Sequence, residues 1–267
     1  MTENQRTVRA DLHSHLRTRS DMTGYFNPAI DIARKRLGEG GIFGLINFAD
    51  ARYEQFAQER GYERQDLGNA LYVPEQDILV VKGQEVPTKQ GHVLVLGLEK
   101  GKHLAGDKEL RDTIKEAKDN NGILIVDHPY SSHGGLGPFL MANPELIRQF
   151  DAWEVHNGEA ALFKGANDKA QKIFDEDKIL KSLVGQLSSS DGHSTYELGK
   201  NWTALRMPIS YKLLKSSTDM QSTLRAAIRD TNYSPEGMKK HPAVFGALDH
   251  MIDLITVIGL SKLGIKI

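Results

Sequence analysis

Histidines and carboxylates recur in this chain where short apolar runs stop. Asp11-Leu12-His13-Ser14-His15 closes the run over residues 8–12, Asp127-His128-Pro129 closes 123–126, and Ser190-Asp191-Gly192-His193 follows 183–187. Glu85 follows the apolar residues 78–81, and Asp50 follows 42–46. Packing gives no reason for imidazoles and carboxylates to gather at the same end of successive strands. A polynuclear metal site does, because divalent ions draw nitrogen and oxygen donors from several directions. The chain has no cysteine, so thiolate ligation is excluded. In an extended segment His13 and His15 point the same way, about 7 Å apart along the chain, towards one ion or two neighbouring ions. Asp191-Gly192-His193 repeats that spacing near the other end of the sequence. The pattern is that of a metal-dependent hydrolase.

Such side chains need a scaffold that delivers them to one place. Apolar runs of four to six residues alternate with longer segments of helical period, which predicts a βα series. In α/β barrels the functional residues gather at the carboxyl ends of the strands. His92 begins its apolar run at 92–96, so it must reach the site from an oppositely running strand or from the loop before it. Asn27-Pro28 predicts a helix start and Gly38-Glu39-Gly40-Gly41 its end. Asp107 precedes a helical face of Leu110, Ile114 and Ala117 that Asn121-Gly122 stops. Pro144 opens a short helix through Leu146, Ile147 and Phe150, and Leu224, Ala227 and Ile228 mark a later one. Residues 51–74 are polar, with Arg52, Arg60, Arg64, Tyr53 and Tyr62, and read as a helical excursion or lid over the barrel mouth. Residues 244–267 are the most apolar stretch and read as a core or oligomer-contact helix.

Bulk properties bound the function. A length of 267 residues suits one α/β barrel as well as two small domains. Charged residues at 26% and hydrophobic ones at 39% are ordinary for a soluble globular protein. A net charge of −1 provides no global field to attract nucleic acid or a membrane surface. The first residues carry no signal-peptide pattern, and no apolar run approaches the roughly 18–20 residues that span a bilayer. The expected location is the cytoplasm. No linker divides the chain, so a single distorted βα barrel over about residues 8–210 is expected, with a helical extension over about 211–267.

The ordered motifs resemble those of the PHP (polymerase and histidinol phosphatase) family of phosphoesterases. Asp11, His13 and His15 match its opening Asp-x-His-x-His, and Ser20-Asp21 the Ser-Asp that follows. Gly83-Gln84-Glu85, Gly91-His92-Val93, His128-Pro129 and Ser190-Asp191-Gly192-His193 match later motifs in family order. The second motif departs: Ala49 and Asp50 stand where the family has aspartate and histidine. The resemblance implies a distorted (β/α)7-type barrel holding two or three divalent ions (zinc, manganese or iron). It implies a first ion on His13, His15, Glu85 and Asp191, and a second on Glu85, His92 and His128. Asp21, Asp50 and His193 would hold the third.

The implied reaction is hydrolysis of a phosphate ester by a metal-bound hydroxide, with Asp191, His193 and Glu85 as catalytic side chains. Arg17 and Arg19 follow His15 and can clamp a phosphate in a forked geometry; Lys200 is a further candidate. His156 and Asn157 end a strand and should face the mouth as substrate contacts. A small phosphorylated metabolite or nucleotide is the leading substrate. The 5′ end of a short oligonucleotide is the alternative, disfavoured by the lack of a basic track. Outside that class stand a non-catalytic metal-binding regulatory module and an amidohydrolase-like enzyme on a similar barrel. A membrane partner is not expected, and self-association would use the C-terminal helices.

Overall fold

The structure, a computed structural model, describes residues 5–16, 26–48, 51–162, 165–214, 216–233 and 237–240. In chain order the strands are β1 (Gln5–Asp11), β2 (Ile42–Asn47), β3 (Gln65–Asp66), β4 (Ala70–Val73), β5 (Ile78–Thr88), β6 (Gly91–Leu96), β7 (Ile123–Val126), β8 (Ala152–Asn157), β9 (Gly185–Ser189), β10 (Trp202–Pro208) and β11 (Met238–Lys239). The helices are α1 (Phe26–Leu37), α2 (Arg52–Gln58), α3 (Leu110–Asp119), α4 (Gly137–Ala142), α5 (Ala166–Glu176), α6 (Lys178–Leu183) and α7 (Ser217–Arg229). Among the described residues no helix is long and apolar enough to cross a membrane.

Hydrogen-bonded neighbours run β11-β10-β1-β2-β5-β6-β7-β8-β9, with β4 on the first half of β5 and β3 on β4. β1, β2 and β5 are mutually parallel, as are β7, β8 and β9. β6 is antiparallel to both β5 and β7, so the two parallel sets share one direction. Beyond the carboxyl ends of β1 and β9 the chain segments meet, where Ser14 and Gly192 form a parallel bridge. There the Asp191 amide donates to the His13 carbonyl and the His15 amide to the Gly192 carbonyl, each at 2.7 Å. The result is the expected distorted α/β barrel, nearly closed, and its seam joins the two histidine motifs.

Alternation along the strands separates core from site. Leu79 and Val81 of β5, Ile123 and Ile125 of β7, Ala152 of β8 and Leu187 of β9 share one apolar cluster inside the barrel, plugged by Met220, Leu224 and Ile228 of α7. The residues between them face outwards. Leu124, Val126, Trp153 and Val155 pack with Leu110 and Ile114 of α3 and Phe174 of α5, while Phe43 and Leu45 pack with Phe26 and Ile30 of α1. Two residues beyond the last inward aliphatic position of β7, β8 and β9 the same face of the sheet turns polar: Asp127 after Ile125, Glu154 after Ala152 and Ser189 after Leu187. The period of two thus places aliphatic side chains at the floor and polar ones at the mouth.

Several local expectations need correction. Glu85 does not lie beyond a strand end; β5 continues to Thr88 because antiparallel β6 pairs its second half. Residues 51–74 are not a lid: after α2 the chain turns back as β3 and β4, and Tyr53 and Phe56 are buried against α1 and β2. Asp107 does not cap α3. Its first residue, Leu110, instead donates its amide to Gln90 Oε1 at 2.8 Å. The predicted stop is real. Asn121 adopts a left-handed φ of 56°, and the Asn121 and Gly122 amides donate to the carbonyls of Lys118 (2.8 Å) and Ala117 (2.7 Å). Asn27 lies inside α1, and its Oδ1 accepts from the Tyr62 amide at 2.9 Å. Beyond residue 211 the described part contains α7 but also strand β11, so the extension is not purely helical. The apolar stretch 244–267 lies outside the described residues.

Candidate metal centre

His13 and His15 leave β1 beside a glycine that makes room for them. A Cβ on Gly44 would fall 2.2 Å from the Leu12 carbonyl oxygen, a distance no side chain tolerates. The same crossing lets the Ile46 amide donate to the Ser14 carbonyl at 2.9 Å. Both rings are buried, with their Nε2 atoms 3.1 Å apart. Asp191 Oδ1 lies 3.3 Å from His13 Nε2 and 3.4 Å from His15 Nε2, and it has no hydrogen-bond partner. Two imidazole nitrogens and an unsatisfied carboxylate oxygen converging on one point leave lone pairs that a cation satisfies.

Glu85 faces two ways. Its Oε2 lies 3.0 Å from His15 Nε2 and 4.0 Å from His13 Nε2. Its Oε1 lies 2.6 Å from His92 Nδ1 and 3.1 Å from His128 Nε2. His92 arrives from antiparallel β6, the first of the two routes its place at the start of an apolar run allowed. Its amide donates to the Gly134 carbonyl at 2.7 Å, and a Cβ on Gly134 would strike its ring at 2.5 Å. Glu85, His92, Asp127 and His128 form one group able to hold a divalent ion. His13, His15 and Asp191 form another, and Glu159, Asp191 and His193 a third. The His15 and His193 rings stack at 5.2 Å, which ties the third group to the first. Arg17, Arg19, Asp21 and Asp50 lie outside the described residues.

Charge follows this arrangement. Burial opposes ionisation of Glu85, yet hydrogen bonds from His128, His15 and His92 hold its carboxyl well below the usual range. Burial likewise acts against the Asp191 charge, but His13 and His15 bring its carboxyl down to about 2. Burial would strip His128 of its proton; the Asp127 charge and the Glu85 hydrogen bond instead raise it to about 10. His13 is raised against its burial by Asp191 and Glu154. Glu159 moves the other way, up to about 8, because burial and the Asp191 charge both disfavour its ionisation. Backbone strain accompanies the charge: His128 and Asp191 adopt φ of 25° and 51°. Left-handed conformations in non-glycine residues cost of order 1–3 kcal/mol each and persist where surrounding structure enforces them.

Sequence reasoning gave no role to three carboxylates. Glu154 is buried and takes four partners: His13 Nδ1 at 3.1 Å, the His128 amide at 2.8 Å, Asn157 Nδ2 at 2.9 Å, and Ser189 Oγ. It fixes the His13 ring so that Nε2 faces the centre. Asp127 is buried with both oxygens lacking hydrogen bonds, and Glu159 stands just past β8 on the cavity wall. A usable signal existed for Glu154, an acid at an inward position of an apolar strand.

Other candidates are placed differently. Asn157 does not face the mouth as a substrate contact; its Nδ2 donates to Asp191 Oδ2 at 3.0 Å and so orients that carboxylate. His156 is buried and is not on the wall of the cavity, and the Lys200 ammonium lies 3.5 Å from the centroid of the Tyr196 ring. Asp11, the first residue of the opening motif, faces away and receives the Ser190 and Gly199 amides at 2.9 and 2.7 Å. The cavity, of about 250 Å³, is instead lined by Glu85, His92, His128, Glu159 and His193 with Phe48, Arg52 and His133. Arg52 donates to the His15 carbonyl at 2.8 Å.

Among the solved structures similar in fold are two endonucleases. One is the lesion-specific endonuclease PfuEndoQ from Pyrococcus furiosus, at 13% identity and a TM-score of 0.53 over 88% of this chain. The other is endonuclease Q in complex with a 27-mer duplex substrate carrying an abasic lesion at the active site, with the same identity, TM-score and coverage. The likeness is one of fold. The chain spans 57% and 58% of those two proteins. No protein-family model and no curated protein matches it.

Proposed function

We propose that this chain is a metal-dependent phosphoesterase of the PHP family that hydrolyses a phosphate ester of a small metabolite or nucleotide. One observation carries the reading: the two oxygens of Glu85 face different histidine groups. A carboxylate shared in this way can hold two cations a few ångströms apart, and such pairs stabilise both the entering and leaving oxygens of a phosphoryl displacement. His13, His15, Asp191 and Glu85 would hold one ion, and Glu85, His92, His128 and Asp127 a second. Glu159, Asp191 and His193 offer a third set, which Asp21 and Asp50 would complete. Nitrogen and oxygen donors without thiolate suit zinc, manganese or iron.

The chain's own residues supply the rest. Glu154 and Asn157 hold His13 and Asp191 in place, and Arg52 presents a guanidinium to a phosphate in the cavity. Glu159, whose ionisation burial and the Asp191 charge disfavour in the metal-free protein, stands with Asp191 and His193 as a further oxygen donor at the cavity wall. The described barrel and the segment after residue 211 are proposed as one domain of a cytoplasmic protein. A second reading, cleavage of a nucleic-acid phosphodiester, draws its support from the endonuclease Q structures that share the fold.

The test joins elemental analysis of the purified protein to a phosphoester panel with added manganese, including duplex DNA with an abasic site. Two or more equivalents of metal and turnover of at least one ester are expected. Asp191→Ala should lose both while keeping its circular dichroism spectrum. Full metal occupancy with no turnover across the panel would favour a regulatory metal-binding module instead.

A further inference from the structure

A second cavity, of about 600 Å³, adjoins the one beside the metal ligands, and Phe48 forms part of both walls. Phe48 follows β2 directly, is 38% exposed, and meets the His92 ring at 5.9 Å between centroids. An exposed phenyl alone says little. Here it stands at the junction of two cavities, beside a ligand imidazole.

The facing wall is built and fixed. It includes His103, Leu104, Gly106 and Asp107, and β5 grips this segment and the turn leading into it at three places. Lys82 Nζ donates to the carbonyls of Glu99 (2.9 Å) and Lys102 (2.8 Å). The Gln84 amide exchanges two hydrogen bonds with the Leu104 backbone, both 2.8 Å, and the Asp107 amide donates to the Pro87 carbonyl at 2.8 Å. Lys82 also pairs with Glu54 at 2.6 Å, so α2, which carries Arg52 into the first cavity, is tied to the same frame. Phe48, Ala51, Pro87 and Leu104 give the slot apolar faces, and His103 and Asp107 add polar groups.

We propose that this second cavity receives the aromatic base of a nucleoside phosphate, stacked on Phe48, while its phosphate lies beside Arg52 and the histidines. The inference rests on the phosphoesterase reading and narrows its substrate class to nucleotides. A base offers a flat π face to the phenyl ring and hydrogen-bonding edges to His103 and Asp107. A sugar phosphate without a base leaves the slot unfilled. Stacking of this kind is sequence-tolerant, so the slot selects for a base without choosing strongly among bases.

The test is calorimetric binding of adenosine 5′-monophosphate and of ribose 5-phosphate to the manganese-loaded protein. The two share phosphate and sugar and differ by the base. The nucleotide should bind roughly ten- to a hundred-fold more tightly. Phe48→Ala should close most of that gap by weakening the nucleotide far more than ribose 5-phosphate, and Phe48→Tyr should keep the gap. A 5′-phosphorylated dinucleotide should show the same dependence on Phe48, and its rank against the mononucleotide tells a strand end from a free nucleotide. Ribose 5-phosphate binding as tightly as the nucleotide, or Phe48→Ala weakening both alike, overturns the slot alone. Binding of neither phosphate overturns the phosphoesterase reading as well.

Discussion

The two sides of Glu85 are built differently. Towards His13 and His15 everything is buried: His13 is fully enclosed, and Glu154 both positions its ring and draws in Ser189, Asn157 and the His128 amide. Towards the cavity lies His92, whose side chain is 25% exposed and which arrives from a strand running against its neighbours. The enclosed side fixes donor geometry and charge. On the proposed reading the open side would leave room for water and substrate oxygens, the division that separates a reactive metal position from a purely structural one.

Removing the residue the two sides share should do the greatest damage. Glu85→Ala is expected to lose metal on both sides and abolish turnover, as read by elemental analysis and assay; retention of full occupancy would show that Glu85 is not a shared ligand. Glu154→Gln should weaken metal binding about 10- to 100-fold, the usual cost of losing a partner that orients a ligand. Chelator competition measures it, and the loss should be larger on the enclosed side, since Glu154 reaches the other side only through the His128 amide. An equal effect on both sides would erase the distinction between them.

Acidity gives the smallest and most graded effect. In the metal-free protein His128, at about 10, and His13, raised above its ordinary value, carry protons at neutral pH. Metal uptake must displace them, so protons are released and affinity rises with pH, about tenfold per unit for each proton displaced. The sign reverses for stability. A raised histidine stabilises the metal-free fold fully below about 6.5 and loses that contribution as pH rises towards about 10. Melting with and without metal at pH 6 and pH 9 should therefore diverge, with the metal-free Tm falling at the higher pH. Parallel curves would argue against these charges.

Much of this was legible in the residues because the decisive signals are local. His13, His15, His128, Asp191 and His193 sit next to the runs that become β1, β7 and β9, and the place of His92 at the start of its run left an oppositely running strand or the preceding loop, of which the structure shows the strand. What escaped notice depends on register between distant strands. Glu154 reads as one more polar residue in β8 until Ser189, His13 and the His128 amide are seen to converge on it. The extent of β5 was misread because its second half is stabilised by β6, a partner that follows in sequence but is invisible in the run 78–81. Residues 70–73 read as the end of a lid for the same reason, although they pair with β5. Asn157 was assigned to substrate from its place at a strand end, yet the bulge between Glu154 and His156 resets the alternation there, and its side chain meets Asp191.

Anomalous diffraction from crystals of the manganese-loaded protein tests the central claim most directly. Two peaks are predicted on opposite sides of the Glu85 carboxylate, one among His13, His15 and Asp191 and the other beside His92 and His128. A single peak, or peaks remote from Glu85, would contradict it.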